Sequence, residues 1–260
     1  MSDIFRLIIL AIVQGITEFL PISSSGHLVI LRGILGMRES GAGLEIALHV
    51  GTLIAIIAFY WRFLSRMILD LFANDIAKRK SSISFLGIII AASIPAGIVG
   101  IFLDEKIESA FGCPRFAAGM LIITGIILLS TLLAKKTEKA INLPRGLLIG
   151  ISQAVAILPG ISRSGATIST ARALGIAPDE CARFTFVLAI PAILGAALLE
   201  LRKSASDILS VGNVVGIIVS AFVGFISLKI LVRLLEGRKF WVFAPYCFAV
   251  AIVGLIFLIS

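Results

Sequence analysis

Two short segments decide how this chain folds. Residues 21–27 read Pro21-Ile22-Ser23-Ser24-Ser25-Gly26-His27, and residues 159–165 read Pro159-Gly160-Ile161-Ser162-Arg163-Ser164-Gly165. Each interrupts an apolar region, the first covering 4–36 and the second 143–175. The downstream arms, 28–35 and 166–174, are too short to cross a hydrocarbon core, which takes about 20 apolar residues. Irregular backbone at membrane depth survives only where protein buries it or where it lines a wet cavity. Both regions are therefore read as re-entrant helical hairpins.

Composition supports the membrane setting. Of 260 residues, 59% are hydrophobic and 15% charged, against about 25% charged in an ordinary soluble domain. Mean hydropathy is +1.10. These values exclude a disordered chain and argue against a soluble globule. Six unbroken stretches are long enough to span: 44–61, 83–103, 116–134, 184–201, 211–235 and 240–259. The net charge of +8 is assigned to membrane-flanking loops and not to nucleic acid. Cys113, Cys181 and Cys247 show no CxxC spacing, so neither a metal cluster nor a disulfide framework is indicated. Two histidines, His27 and His49, exclude a His-rich metal site. The segment 4–13 lacks a basic leader and a small-residue exit, so it is read as mature protein.

The broken regions match each other at an offset of 139: Gln14 on Gln153, Ser23 on Ser162, Ser25 on Ser164 and Gly26 on Gly165. Each half reads as one hairpin followed by three spans. Three is odd, so the second copy is inverted. Stepping across the spans collects 14 Lys and Arg on the side of segment 62–82 and seven on the other. Excess basic residues mark the cytoplasmic side, so hairpin 4–36 enters from outside and hairpin 143–175 from the cytoplasm. The expected fold is an all-α polytopic membrane protein with six transmembrane helices and two re-entrant hairpins in an inverted-topology repeat. It forms a single domain over 1–260, with repeat halves 1–134 and 143–260.

Two tips meeting at the midplane would make an anion site. Helix N-termini present unpaired N–H groups and partial positive charge. Arg163 adds a planar fork suited to phosphate oxygens, and a charge inside a membrane segment is expensive and usually functional. Hydroxyls of Ser23, Ser24, Ser25, Ser162, Ser164 and Thr167 supply further donors, with Gly26, Gly160 and Gly165 completing the tips. Helix capping and close packing are the plainer reading of those serines and glycines. Glu18, one turn after Gln14, is a second intramembrane charge. It has three readings: ligand of Mg²⁺ or Ca²⁺ together with substrate phosphates, base for a hydroxyl or water, or ion-pair partner of Arg163. His27 suits a base for Ser24, a nucleophile, or an acid for the leaving group. His49, four residues after Glu45, ranks as more remote. Lys229 receives no role.

The segment Gln14-Gly-Ile-Thr-Glu18-Phe-Leu-Pro-Ile-Ser-Ser-Ser-Gly-His27 resembles an (E/Q)xxxE segment with a following Ser-Ser-x-Gly-His. Pro159-Gly-Ile-Ser-Arg-Ser-Gly-Ala-Thr167 resembles a PGxSRSxxT segment. Both belong to the undecaprenyl-diphosphate phosphatases of the bacitracin-resistance type, and the similarity covers essentially the whole chain. The resemblance implies an integral-membrane hydrolase that converts undecaprenyl diphosphate to the monophosphate and inorganic phosphate. It implies a divalent cation, Mg²⁺ or Ca²⁺, a cell-membrane location with the site open to the outer face, and bacitracin resistance. By motif position, Glu18, Ser24, His27 and Arg163 are the catalytic residues, and Glu18 is also the metal residue. Gln14, Ser23, Ser162, Ser164 and Thr167 support them, and Ser25, Gly26, Gly160 and Gly165 belong to the same substrate-binding set. Gln14 stands where some members carry Glu, which removes one of two carboxylates from a metal site there. Lipid phosphatases of the acid-phosphatase type are rejected, because no His and Asp follow Ser162-Arg163 at their spacing.

The rival reading is a transporter or flippase of an anionic or lipid-phosphate substrate, which inverted repeats with broken helices also fit. A transporter needs Arg163 and the helix ends, but not Glu18, Ser24 and His27 together. Expected partners are the polyprenyl diphosphate and membrane lipids, with no nucleic acid. Oligomeric state stays open, a homodimer included.

Overall fold

The computed structural model describes residues 3–35, 42–134, 139–203, 211–237 and 239–259. Arg38, Lys135, Lys136 and Arg238, which enter the charge bias, lie outside the described residues. So do the side chains of Arg32, Glu45, Arg202 and Lys203. Every regular element among the described residues is helical.

Both apolar regions with internal prolines form broken helix pairs. Helix α1 (Asp3–Thr17) stops before Pro21 and α2 (Ser24–Leu35) restarts after it. Ser23 makes the corner at φ +68, a left-handed conformation uncommon outside glycine. Its hydroxyl accepts the N–H of Gly26 at 3.3 Å, capping α2. After α3 to α7, described below, the second pair repeats the pattern. Helix α8 (Leu143–Val155) is capped by the Asn142 side chain and breaks at Pro159-Gly160. Helix α9 (Arg163–Ala173) then starts from Ser162, whose hydroxyl accepts the N–H of Gly165 at 3.1 Å. It ends where Gly175 adopts φ +82 and the N–H groups of Gly175 and Ile176 return to the carbonyls of Arg172 and Ala171. At 12 and 11 residues, α2 and α9 rise roughly 18 and 16 Å, well short of the ~30 Å hydrocarbon core.

Among the described residues four helices are long and apolar enough to cross a membrane: Ile76–Phe102, Pro114–Leu133, Pro178–Leu198 and Val211–Glu236. They lie in α5 (Ile76–Phe102), α7 (Pro114–Ser130 with a 3₁₀ turn to Leu133), α10 (Pro178–Lys203) and α11 (Val211–Glu236). Helix α5 begins before the expected residue 83, because the Asp75 carboxylate accepts the N–H groups of Ala77 and Lys78. The expected span 44–61 forms α3 (Ala42–Phe59), which bends by 70° at Tyr60 into α4 (Trp61–Leu71). Counted as one broken span, that pair brings the total to five. The expected span 240–259 is a shorter apolar helix, a 3₁₀ turn at Phe240–Phe243 leading into α12 (Ala244–Ile259). A further short helix, α6 (Asp104–Phe111), joins α5 to α7.

The broken helices are clasped by long ones. Helix α1 packs on α11, which also lies along α3; α8 packs on α5, and α7 pairs with α12. Close approach sets these contacts. A Cβ on Gly15 would sit 2.9 Å from Val223 Cβ and 3.0 Å from Ser220 O of α11. A Cβ on Gly150 would run into the carbonyl of Ala92 on α5. Small residues at helix crossings replace the hydrophobic driving force that lipid removes. Gly150→Leu therefore pushes α8 off α5, and thermal melts in detergent are expected to show a loss of about 1–3 kcal/mol. Large apolar side chains stay outside, among them Ile90, Phe102, Leu133 and Phe222. Water would not tolerate so continuous an apolar exterior. The molecule is an all-α, multi-pass membrane protein.

Candidate active site

The two breaks touch. Ser25 Oγ accepts the N–H of Gly160 at 3.4 Å, and the Ser164 hydroxyl donates to the Leu20 carbonyl at 3.4 Å. A Cβ on Gly26 would stand 3.3 Å from Gly160 Cα. The tips are closed alike. Ser23 and Ser25 hydroxyls lie 3.2 Å apart, and so do those of Ser162 and Ser164. Gly160 holds φ +96 against Ala117 and Met120 of α7. Thr124, also on α7, pins the second tip: its hydroxyl donates to Gly160 O at 2.8 Å and accepts from Ser162 N at 3.0 Å.

Glu18 is the hub. Its Oε1 pairs with Arg163 Nη2 across the junction of the two tips. Its Oε2 accepts from Gln14 Nε2 at 3.0 Å and from the Ser24 hydroxyl at 2.7 Å. His49 Nε2 approaches the same oxygen at 3.9 Å. A buried carboxylate persists only when paired and hydrogen-bonded, and these groups meet that requirement. The carboxylate is 5% exposed, whereas Arg163 is 21% and His49 35% exposed. The approach to Glu18 therefore lies on the side of Arg163, His49 and the half-buried Ser24.

His27 lies elsewhere than at Ser24. Its Nδ1 is 2.8 Å from the Ser23 carbonyl and its Nε2 is 2.9 Å from Tyr246 Oη, and the two rings stack with centroids 5.6 Å apart. A carbonyl only accepts, so Nδ1 carries a proton, and in the neutral ring the Tyr246 hydroxyl donates to the Nε2 lone pair. Thr167 is also turned inward, its hydroxyl donating to the Arg163 carbonyl at 2.7 Å. It braces the first turn of α9.

Gln14, Glu18, Ser24 and Arg163 are thus brought together, while Ser23, Ser25, Gly26, Gly160, Ser162, Ser164 and Gly165 build the two tips. His49 faces inward and reaches Glu18 at 3.9 Å, and the sequence reading missed Thr124 and Tyr246. Thr124 stands alone among aliphatic residues of α7, a polar group at membrane depth that needs a partner. Tyr246 is one of two tyrosines in the chain, and nothing in its neighbourhood along the chain points to His27.

Among the described residues no group of three or more His, Cys, Asp and Glu is placed to hold a metal. The oxygen donors near Glu18 do suit a hard cation that takes most of its ligands elsewhere. Gln14 Oε1 is buried without a hydrogen-bond partner, one turn from the carboxylate.

The chain matches the family of the bacitracin resistance protein BacA over residues 7–253. It is 37% identical to the undecaprenyl-diphosphatase of Methanosphaera stadtmanae, covering 98% of each chain. It is 38% identical to that of Pelotomaculum thermopropionicum, over 94% of this chain and 92% of the other. It is also 38% identical to that of Korarchaeum cryptofilum, over 96% and 97%. With the family pattern running through nearly every helix and both tips, the chain belongs to the BacA family of bacitracin resistance proteins.

Proposed function

We infer that this protein hydrolyses undecaprenyl diphosphate to undecaprenyl phosphate and inorganic phosphate. The reaction recycles the lipid carrier of cell-wall glycan synthesis and, by competing for the lipid that bacitracin sequesters, confers resistance. One observation carries the reading. A buried carboxylate holds a serine hydroxyl and a guanidinium on its two oxygens, beside two capped helix starts. That set contains a nucleophile, a base and an anion clamp.

In this reading α1–α2 and α8–α9 are re-entrant hairpins from opposite faces, and α12 completes six spans. Matched capping at the two tips supports an inverted repeat of 1–134 and 143–260. The protein resides in the cell membrane, and the family resemblance implies a site open to the outer face. The prenyl chain stays in lipid while the diphosphate enters beside Arg163. Arg163 gives one donor to Glu18 and turns the rest of its fork to phosphate oxygens.

Ser24 Oγ attacks the terminal phosphorus and its proton passes to Glu18. The bridging P–O bond breaks with its electron pair on the prenyl phosphate, which takes the proton from Glu18. Water then cleaves the phosphoserine. Glu18 accepts the water's proton and returns it to Ser24 as inorganic phosphate leaves. Glu18 and Gln14 Oε1 would hold Mg²⁺ or Ca²⁺, with substrate oxygens completing the shell. Such an ion supplies neutralisation of phosphate charge.

His27 takes no proton in this scheme, because Tyr246 covers its lone pair. Tyr246→Phe keeps the stacked ring and removes one hydrogen bond, worth about 1 kcal/mol. The expected result is a loss of about 1 kcal/mol in thermal melts in detergent, with kcat and KM near wild type. Nitrogen-15 NMR of the ring, readable with only two histidines, should show His27 protonated at Nδ1 in the wild type.

Phosphate release from detergent-solubilised undecaprenyl diphosphate tests the function itself. Hydrolysis requires no sealed membrane, whereas transport does. Absence of release at any Mg²⁺ or Ca²⁺ concentration would overturn the reading.

A further inference from the structure

Where α3 bends into α4, three arginines meet over an aromatic floor. Arg62, Arg66 and Arg183 line a cavity of about 450 Å³ together with Phe59, Tyr60 and Phe63. Tyr60 lies eleven residues beyond His49, roughly 16 Å along the helix, so the cavity is separate from the Glu18 site. Arg62 and Arg66 are four apart and share a face of α4. Among the described residues neither pairs with a carboxylate. Arg183 packs its guanidinium 5.1 Å from the centroid of Phe63 and reaches Asp179 at 3.6 Å. The cavity therefore holds three permanent cations, with one carboxylate touching the set.

Helix α4 buries none of its residues. Trp61, Ile68 and Leu69 are 62%, 53% and 69% exposed, and Phe72, just past its end, is 83% exposed. They form one side, with Arg62, Arg66 and Asp70 beside it. If α3 runs across the bilayer, a 70° bend lays α4 close to the membrane plane. An amphipathic helix so placed sits at the headgroup boundary, with Trp61 at the depth tryptophan favours.

We propose that this cavity binds the phosphate of an anionic membrane phospholipid, whose acyl chains run along the apolar side of α4. Free phosphate would use the arginines but not the apolar strip. A zwitterionic headgroup would bring its own cation against three guanidinium groups. The occupant that satisfies both surfaces is a lipid with net negative charge.

Trp61 and Trp241 are the two tryptophans of the chain, so Trp241→Phe leaves a single reporter at the cavity. The full chain is reconstituted in phosphatidylcholine bilayers containing a minor fraction of brominated phosphatidylglycerol or brominated phosphatidylcholine. Trp61 quenching is then compared. The expected result is an apparent affinity on the order of 30- to 150-fold higher for phosphatidylglycerol, as two or three basic groups at a membrane surface provide. Arg62→Gln with Arg66→Gln should bring the two lipids near parity, and millimolar inorganic phosphate should change nothing. Both side chains are exposed, so the double variant keeps its fold, and the wild-type comparison stands without it. Equal quenching by the two lipids, a preference that survives the double substitution, or competition by phosphate would each overturn the proposal.

Discussion

Arg163→Ala is expected to lower kcat/KM for undecaprenyl diphosphate by about a thousandfold and to destabilise the protein at the same time. The two effects have separate causes. Loss of the guanidinium removes the strongest anion donor of the site, and deleting one such electrostatic donor costs on the order of 10²–10³ in rate. It also strands the buried Glu18 carboxylate with hydrogen bonds to Gln14 and Ser24 and with His49 at 3.9 Å. Breaking a buried pair from one side costs about 3–5 kcal/mol. Arg163→Lys restores the charge without the fork, so stability should recover more than turnover does. Phosphate release and thermal melts in detergent check both halves. A variant that melts normally and turns over at half the wild-type rate would show that the pair matters to neither.

Ser24→Ala has the largest expected effect on turnover alone. If the Ser24 oxygen forms the bond to phosphorus, its removal leaves only electrostatic assistance to water, and kcat should fall on the order of 10⁴-fold or more. Substrate binding should hold, because Arg163 and both tips remain. Residual turnover of a tenth or more would remove the covalent step and leave Glu18 as base for water. Rapid-quench labelling from the terminal phosphate should give a phosphoenzyme in the wild type and none in Ser24→Ala.

Much of this arrangement is legible in the amino-acid sequence. Proline and glycine inside apolar runs mark helix breaks for covalent reasons: a missing N–H at Pro21 and Pro159, and left-handed φ at Gly160. The meeting of the tips was expected from the inverted order of the two halves, and the Glu18–Arg163 pair was one of three readings of Glu18. What the sequence withheld depended on direction. Whether His27 faces Ser24 or Tyr246 is set by the rotation of α2 against α12, which are 219 positions apart at those residues. The bend at Tyr60 was hidden because helical periodicity continues through it. Arg62 reads as the end of a span, yet the chain turns by 70° and continues as α4. Thr167 looked like a substrate donor, but a threonine inside a helix readily bonds the carbonyl four residues back, and this one does.

In the proposed mechanism both broken helices serve one diphosphate. An experimental structure with a methylene-bridged, non-hydrolysable analogue of undecaprenyl diphosphate tests it most directly. The expected result is the terminal phosphorus within reach of Ser24 Oγ, its oxygens on Arg163 and the N–H groups of both tips, and the prenyl chain leading out into lipid. An analogue held by residues 14–27 alone, with 159–167 drawn away, would contradict it.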